Sequence, residues 1–202
     1  MKNILFIKMN FGMVHIYTGD GYGKSTAAVG LCYRCAGQGG KVLMTSFLKD
    51  FDSGEYITKK PSFDIFVKNA FSGFFNELSE EEKEAASKNA EEQLGEVFHK
   101  AVFEDYDLLV LDEVLFAASV GCLDINYLKK IILSKPKKLE LVLTGRNCPE
   151  QLFDLADYIS VINCVKHPYE KGCGSRIGIE KYKKNALFFF GQNTQKGVSE
   201  KK

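Results

Sequence analysis

Residues 18–26 read Thr-Gly-Asp-Gly-Tyr-Gly-Lys-Ser-Thr, between the apolar run Val14-His15-Ile16-Tyr17 and the run Ala27-Ala28-Val29-Gly30-Leu31. An apolar run that breaks into a glycine-rich turn and resumes as a helix-like run predicts strand, loop and helix in that order. Such a turn aims several backbone N–H groups at one anion, at the positive end of the helix dipole. Gly19, Gly21 and Gly23 leave no Cβ in the path of a phosphate. Lys24 adds a point charge, and Ser25 carries a hydroxyl suited to Mg²⁺. Thr26 carries the loop into the helix. This is P-loop mechanics with one departure: Thr18 stands where G-x-x-x-x-G-K-[ST] has its first glycine. The competing reading is a flexible glycine turn with a chance Gly-Lys-Ser.

Outward from this loop the chain alternates strand-like and helix-like segments, which predicts an α/β fold with a mostly parallel sheet and helices on both faces. The first helix is expected from about Ser25 to Cys35. Residues 41–47 read as a second strand and 63–67 as a short third. Residues 69–78 (Asn-Ala-Phe-Ser-Gly-Phe-Phe-Asn-Glu-Leu) form an aromatic loop. Ser79 with Glu82 gives a capping box for a long helix to about Phe103. Residues 106–111 are the most apolar strand and end in Asp112-Glu113. Asp124 is expected to cap a helix through Leu133. Residues 140–143 read as a strand followed by Thr144-Gly145-Arg146. Pro149 suits a first helical position, with the helix running to about Ala156. Residues 158–165 are the last strand.

In an open α/β sheet ligands bind at the carboxyl edge. Asp112 and Glu113 are therefore expected to face the loop from a neighbouring strand and help hold Mg²⁺, directly or through water. By itself, an acidic pair after a strand reads as a surface turn; the upstream loop is what turns it into a metal site. Arg146 sits on the same edge and is read either as a phosphate contact or as an ordinary surface arginine.

The whole-chain numbers narrow the classes. With 202 residues, 45% of them hydrophobic, the chain suits one domain. The expected organisation is an extension at 1–12, a single domain at 13–190 and a polar tail at 191–202. A net charge of +1 gives no global field for nucleic acid, and no run approaches the ~20 apolar residues of a membrane span. The six cysteines form no pair of close pairs and read as reduced packing residues. The N-terminal apolar stretch is too short for a signal peptide, so a cytosolic protein is expected.

These segments together resemble the P-loop class of corrinoid adenosyltransferases, the cob(I)alamin or cob(I)yrinic acid a,c-diamide adenosyltransferases. The resemblance runs from about Val14 to Glu180. It rests on HIYTGDGYGKSTAAVGL, RCAGQGGKV, FLK at 47–49, Gly54-Glu55, DLLVLDEV, LVLTGRNCPEQLFDLAD, VKHPYEKG and RIGIE at 176–180. It implies transfer of the 5′-deoxyadenosyl group of ATP to a Co(I) corrinoid, with release of triphosphate. Gly19 to Thr26 would grip the triphosphate, Lys24 and Glu113 would serve the reaction, and Ser25 and Glu113 would ligate Mg²⁺ with Asp112 nearby. A reduced flavoprotein as electron donor and a homodimer are also implied. Co(I) is itself the nucleophile, so no Ser-His-Asp arrangement is required, and the sequence offers none. The cofactor carries the hard chemistry and the protein positions it.

Two departures from the family's pattern stand out, at Tyr22 and in the corrinoid loop. Tyr22 replaces a common lysine in the loop. Asp20 stands where asparagine or aspartate is usual. The family's corrinoid loop carries Gly-Phe-Thr-Trp, whereas this chain has no tryptophan. Its nearest counterpart holds Phe71, Phe74 and Phe75, expected to close the lower face of the corrinoid and strip the axial ligand from Co(II). The bland alternative is core packing. Phe188 to Phe190 are read as sheet cover, subunit contact or corrinoid wall. His15 is expected as a core residue, His99 at the surface, and His167 in a structural or ligand-edge role. Two other functions fit a P-loop: an ATPase or kinase acting at the γ-phosphate, and a non-catalytic corrinoid or nucleotide carrier.

Overall fold

A computed structural model of the chain describes residues 11–49, 53–57, 63–68 and 74–179. In chain order the elements are β1 (Val14–Thr18), α1 (Lys24–Gly37), β2 (Val42–Ser46), α2 (Gly54–Ile57), β3 (Asp64–Ile65), α3 (Glu80–Phe103), β4 (Leu108–Asp112), α4 (Val114–Ser119), α5 (Ile125–Ser134), β5 (Glu140–Thr144) and β6 (Tyr158–Val161). Short 3₁₀ turns occupy Phe75–Glu77, Glu150–Leu155 and Pro168–Lys171.

The strands form one parallel sheet in the order β3-β2-β4-β5-β1-β6. Its hydrophobic pattern explains the layering. β2 and β4 are buried at every position, as strands covered on both faces must be. Successive side chains alternate between the two faces. Leu109 and Leu111 join a core with Leu94 and Val97 of α3 and Leu128, Ile131 and Ile132 of α5. Leu108 and Val110 face the other way, onto Ala28 and Cys32 of α1. The α/β fold with helices on both faces is as the sequence implies.

The capping residues act as their spacing suggests. Ser79 Oγ accepts from the Glu82 N–H at 3.3 Å, and the Glu82 carboxylate accepts from the Ser79 N–H at 2.8 Å. Asp124 accepts from the Asn126 N–H at 2.8 Å. Three local expectations are corrected. Pro149 precedes a 3₁₀ turn rather than an α-helix. The third strand shrinks to Asp64–Ile65, and the last strand stops at Val161. Beyond Val161 the chain leaves the sheet to pack on the glycine loop: the Ile162 N–H donates to the Thr18 carbonyl and the Gly21 N–H donates to the Ile162 carbonyl.

The strand order fixes the site. The carboxyl ends of β1, β2, β4 and β5 lie along one edge of a parallel sheet. Asp112 does not come from a strand next to β1, as the sequence reading expects, because β5 lies between β4 and β1. What spans that gap is a side chain from β2's end.

Candidate active site

The loop between β1 and α1 is held by its glycines. Gly19 and Gly23 have φ of 103° and 111°, where a side chain is strained. A Cβ on Gly19 would collide with the Ile162 carbonyl, and one on Gly21 would lie 2.7 Å from the Asn163 backbone. Their clearance therefore admits the chain after β6, whereas the space beside Gly23 is open. Asp20 and Tyr22 also turn toward later segments. The Asp20 carboxylate accepts from the Cys164 N–H at 3.0 Å, and the Tyr22 hydroxyl donates to the Ile179 carbonyl at 3.1 Å. Thr26 is exposed on the first turn of α1. Lys24 is buried and donates to the Gly21 carbonyl at 2.7 Å. Burial holds its ammonium below the usual lysine range, with Arg146 acting in the same direction and Glu113 opposing.

Asp112 ends β4 with its side chain wholly buried. Both its oxygens are engaged. Oδ1 accepts from the Thr144 hydroxyl at 2.5 Å, and Oδ2 accepts from Lys49 Nζ at 2.6 Å. Thr144 in turn accepts from the Glu113 N–H at 3.0 Å. That contact fixes Glu113 in a left-handed conformation, φ 58°. The turn sends the Glu113 carboxylate into a pocket of about 340 Å³, lined also by Leu48, Lys49, Phe74, Phe75, Phe116 and Arg146. Burial raises the Glu113 carboxyl above its ordinary range; Lys49 opposes the shift and Asp112 adds to it.

Lys49 is the residue the sequence reading gave no role. Leu48 takes φ 51° at the end of β2, and this turn carries Lys49 across the edge. Its Nζ lies 3.2 Å from Ser25 Oγ, 2.6 Å from Asp112 Oδ2 and 3.7 Å from Glu113 Oε1. Burial alone would lower its pKa, but Asp112 and Glu113 outweigh that and hold it above the usual value. A lysine just past a buried strand, on the edge that carries the loop and the acids, is the signal that marks it. Phe116 and Thr144 were also missed. Gly145 explains the Thr-Gly-Arg spacing: φ is 146°, and a Cβ would lie 2.5 Å from the Phe116 nitrogen. Only glycine lets β5 pass so close to α4 before Arg146 reaches the pocket.

The donor set fits a divalent ion of the Mg²⁺ kind. Ser25, Asp112 and Glu113 already gather around one cationic group, the Lys49 ammonium. Among the described residues no cluster of three or more His, Cys, Asp or Glu could hold a metal. Mg²⁺ needs no such cage, since it favours one or two carboxylates plus phosphate oxygens and water.

Of the aromatic candidates, Phe75 is buried and Phe74 is 73% exposed, and both line the pocket. Phe71 and Phe188 to Phe190 lie outside the described residues, as do residues 1–10 and the polar tail. The histidines stand apart from the charged cluster. His15 pairs with Glu140 near the start of the sheet, His99 is exposed on α3, and His167 accepts from the Tyr169 N–H. All six cysteines are free thiols.

Residues 10–181 match the family described as ATP:corrinoid adenosyltransferase BtuR/CobO/CobP. The chain belongs to that family. It is 31% identical over 172 residues to the corrinoid adenosyltransferase CobA of Salmonella typhimurium strain LT2, covering 84% of this chain and 85% of that one. Identity to the corrinoid adenosyltransferase of Escherichia coli K12 is 28% over 175 residues, with the same shares covered. For the Pseudomonas aeruginosa corrinoid adenosyltransferase it is 29% over 177 residues, covering 84% and 83%. Family membership makes the chain a corrinoid adenosyltransferase with ATP and a corrinoid as substrates, and it disfavours both the γ-phosphate and the carrier readings. No described helix is long and apolar enough to cross a membrane.

Proposed function

We propose that this adenosyltransferase works at the carboxyl edge of its sheet, moving the 5′-deoxyadenosyl group of ATP to a Co(I) corrinoid and releasing triphosphate. The observation that carries the assignment is that Glu113 and Arg146 belong both to the charged cluster around Lys24 and to the wall of the phenylalanine-lined pocket. An anion-binding loop and an apolar recess thus share an edge, as a reaction between a polyphosphate nucleoside and a flat apolar macrocycle requires.

In this reading the loop N–H groups between Gly19 and Thr26, apart from the Gly21 N–H that the Ile162 carbonyl engages, hold the triphosphate together with the Lys24 ammonium. Lys24 now donates to a carbonyl, and a phosphate oxygen would be the stronger, charged acceptor. Co(I) attacks C5′, a Co–C bond forms, the C5′–O bond breaks, and its electron pair leaves with the triphosphate. Lys24 and Arg146 neutralise the departing charge, a contribution of order 3 kcal/mol for each well-placed donor. Ser25 and Glu113 would hold Mg²⁺, with Asp112 behind them fixing the turn. When bound, the ion would screen the triphosphate as a Lewis acid. Phe74, Phe75 and Phe116, with Phe71 from the sequence, would receive the corrinoid and exclude water. Alignment of C5′ with cobalt supplies the orientation gain. A reduced flavoprotein donor, a homodimer and a cytosolic setting complete the reading, and each is carried by the resemblance alone.

The test is an anaerobic reaction of the protein with ATP, Mg²⁺ and chemically reduced cob(I)alamin. The visible spectrum of an alkylated corrinoid should appear together with an equivalent of triphosphate. Orthophosphate or ADP without corrinoid alkylation would overturn the reading in favour of γ-phosphate chemistry. Tight binding of both substrates without turnover would point to a carrier.

A further inference from the structure

We infer that Lys49 is the resident cation of the metal site and that it makes divalent-cation binding conditional on nucleotide. The inference rests on the reading of the cluster as a nucleotide site. Lys49 Nζ touches or approaches Asp112 Oδ2, Ser25 Oγ and Glu113 Oε1, at 2.6, 3.2 and 3.7 Å. Ser25 Oγ and Glu113 Oε1 are the protein donors that a Mg²⁺ ion would take, and Asp112 lies directly behind them. Mg²⁺ sits about 2.0–2.1 Å from its oxygens, so ion and ammonium cannot share the position. One must leave for the other to enter.

Charge decides which. Asp112 and Glu113 are sequence neighbours, and the Asp112 side chain has no solvent exposure. Leaving a buried carboxylate without a counterion is strongly unfavourable. Lys49 meets that need in the nucleotide-free protein. A bare Mg²⁺ would have to shed water and expel an ammonium already paired with Asp112 and Glu113. A metal–triphosphate complex differs on both counts. Its phosphate oxygens already supply part of the coordination shell, and they offer the displaced ammonium a second anion. Lys49 has the means to move: its side chain is one-third exposed and it lines the pocket. A lysine stem is flexible where an arginine fork is not. Lys49 therefore selects the metal–nucleotide complex over the free ion. Lys24, which donates to the Gly21 carbonyl, plays no part in this exclusion.

The probe is Mn²⁺, whose free form is counted by electron paramagnetic resonance, with ATP in the absence of corrinoid. The parent protein should bind Mn²⁺ weakly alone and about one equivalent tightly with ATP. Lys49→Gln should bind Mn²⁺ without nucleotide roughly tenfold or more tightly than the parent, since a nearby positive charge has gone. Adding Glu113→Gln should abolish that gain, which separates the site from surface acids. Lys49→Arg, which keeps the charge, should stay dependent on nucleotide. If Lys49→Gln melts early, Mg²⁺ alone should restore its melting temperature. A folded Lys49→Gln that binds bare Mn²⁺ no better than the parent overturns the inference, as does one that no concentration of Mg²⁺ stabilises. Either result with a parent that binds Mn²⁺ and ATP together withdraws only the role of Lys49. A parent that binds no ATP withdraws the nucleotide site itself.

Discussion

Asp112 and Glu113 are adjacent in sequence, but the fold gives them different work. Asp112 spends both oxygens on Thr144 and Lys49 and has no exposure. Glu113 turns left-handed into the pocket and keeps its carboxylate accessible. Asp112→Asn should therefore act mainly on folding. It replaces one side of a buried pair, a change that typically costs about 3–5 kcal/mol when the remaining charge is left buried; exposure of Lys49 places this case toward the low end. Glu113→Gln should leave the melting temperature nearly unchanged and raise the Mg²⁺ concentration needed for half-maximal turnover. Melting curves and Mg²⁺ titrations of the two variants separate these roles. A silent Glu113→Gln beside a stable, Mg²⁺-defective Asp112→Asn would reverse them. Lys24 belongs to the same scale. ATP bound only by the native state should stabilise the parent by about 2.7 kcal/mol at a hundred times Kd, and Lys24→Ala should remove most of that gain. Equal ATP-induced shifts in parent and mutant would take the loop out of the site.

At the level of elements, the glycine loop and the chain after β6 support each other. Two glycines that look identical in sequence should respond in opposite ways. Gly21→Ala would place a Cβ 2.7 Å from the Asn163 backbone, which cannot swing aside, and overpacking of this kind costs about 1–3 kcal/mol. Gly30 lies within α1 with open space around it, so Gly30→Ala should stabilise by up to about 1 kcal/mol. Equal melting temperatures for the two variants would contradict the contact. The start of the sheet offers a pH test away from the site. Glu140 accepts from the Met13 N–H at 2.7 Å and pairs with His15, tying β1 to β5. Burial would raise its pKa, but the bonds from His15 and Met13 outweigh burial and leave it below the ordinary carboxylate value of 4.5. A lowered folded-state value means that the native state binds this proton less readily than the unfolded chain. Its stabilisation is thus complete above about pH 4.5 and fades as pH falls through the folded value. Glu140→Gln should lower stability near neutrality and flatten this part of the acid limb. An unchanged difference between parent and variant from pH 7 to pH 3 would show that the carboxylate's charge contributes nothing.

For the molecule as a whole, sequence reached as far as local chemistry does. The glycine loop, the caps at Ser79 and Asp124, and the buried strand ending in Asp112-Glu113 were legible because each depends on residues close in the chain. The role of Lys49 was not, because it depends on β2 lying beside β4 and on the left-handed turn at Leu48. Nor was the packing role of Gly19 and Gly21, whose partner arrives some 140 residues later. The proposed corrinoid wall is the part that most needs both views, and Phe74 and Phe75, two of the three phenylalanines that line the pocket, are unequal probes of it. Phe75 is 8% exposed, and its loss would cost about 3–5 kcal/mol of stability whatever its catalytic role. Phe74 is 73% exposed, so Phe74→Ala should leave the melting temperature within about 0.5 kcal/mol of the parent. A large exposed ring at the mouth of a pocket has little reason to be there for folding. If it covers the lower corrinoid face, it should matter most when an axial ligand has to be kept off Co(II) before reduction. Starting from cob(II)alamin with a reductant, Phe74→Ala should then slow adenosylation roughly tenfold, about 1.4 kcal/mol of barrier. Starting from pre-reduced cob(I)alamin, which has no such ligand to lose, the same variant should run close to the parent rate. Equal losses in both assays would mean that Phe74 only helps bind the macrocycle. No loss in either would remove Phe74 from the wall and leave Phe75 and Phe116 to form it.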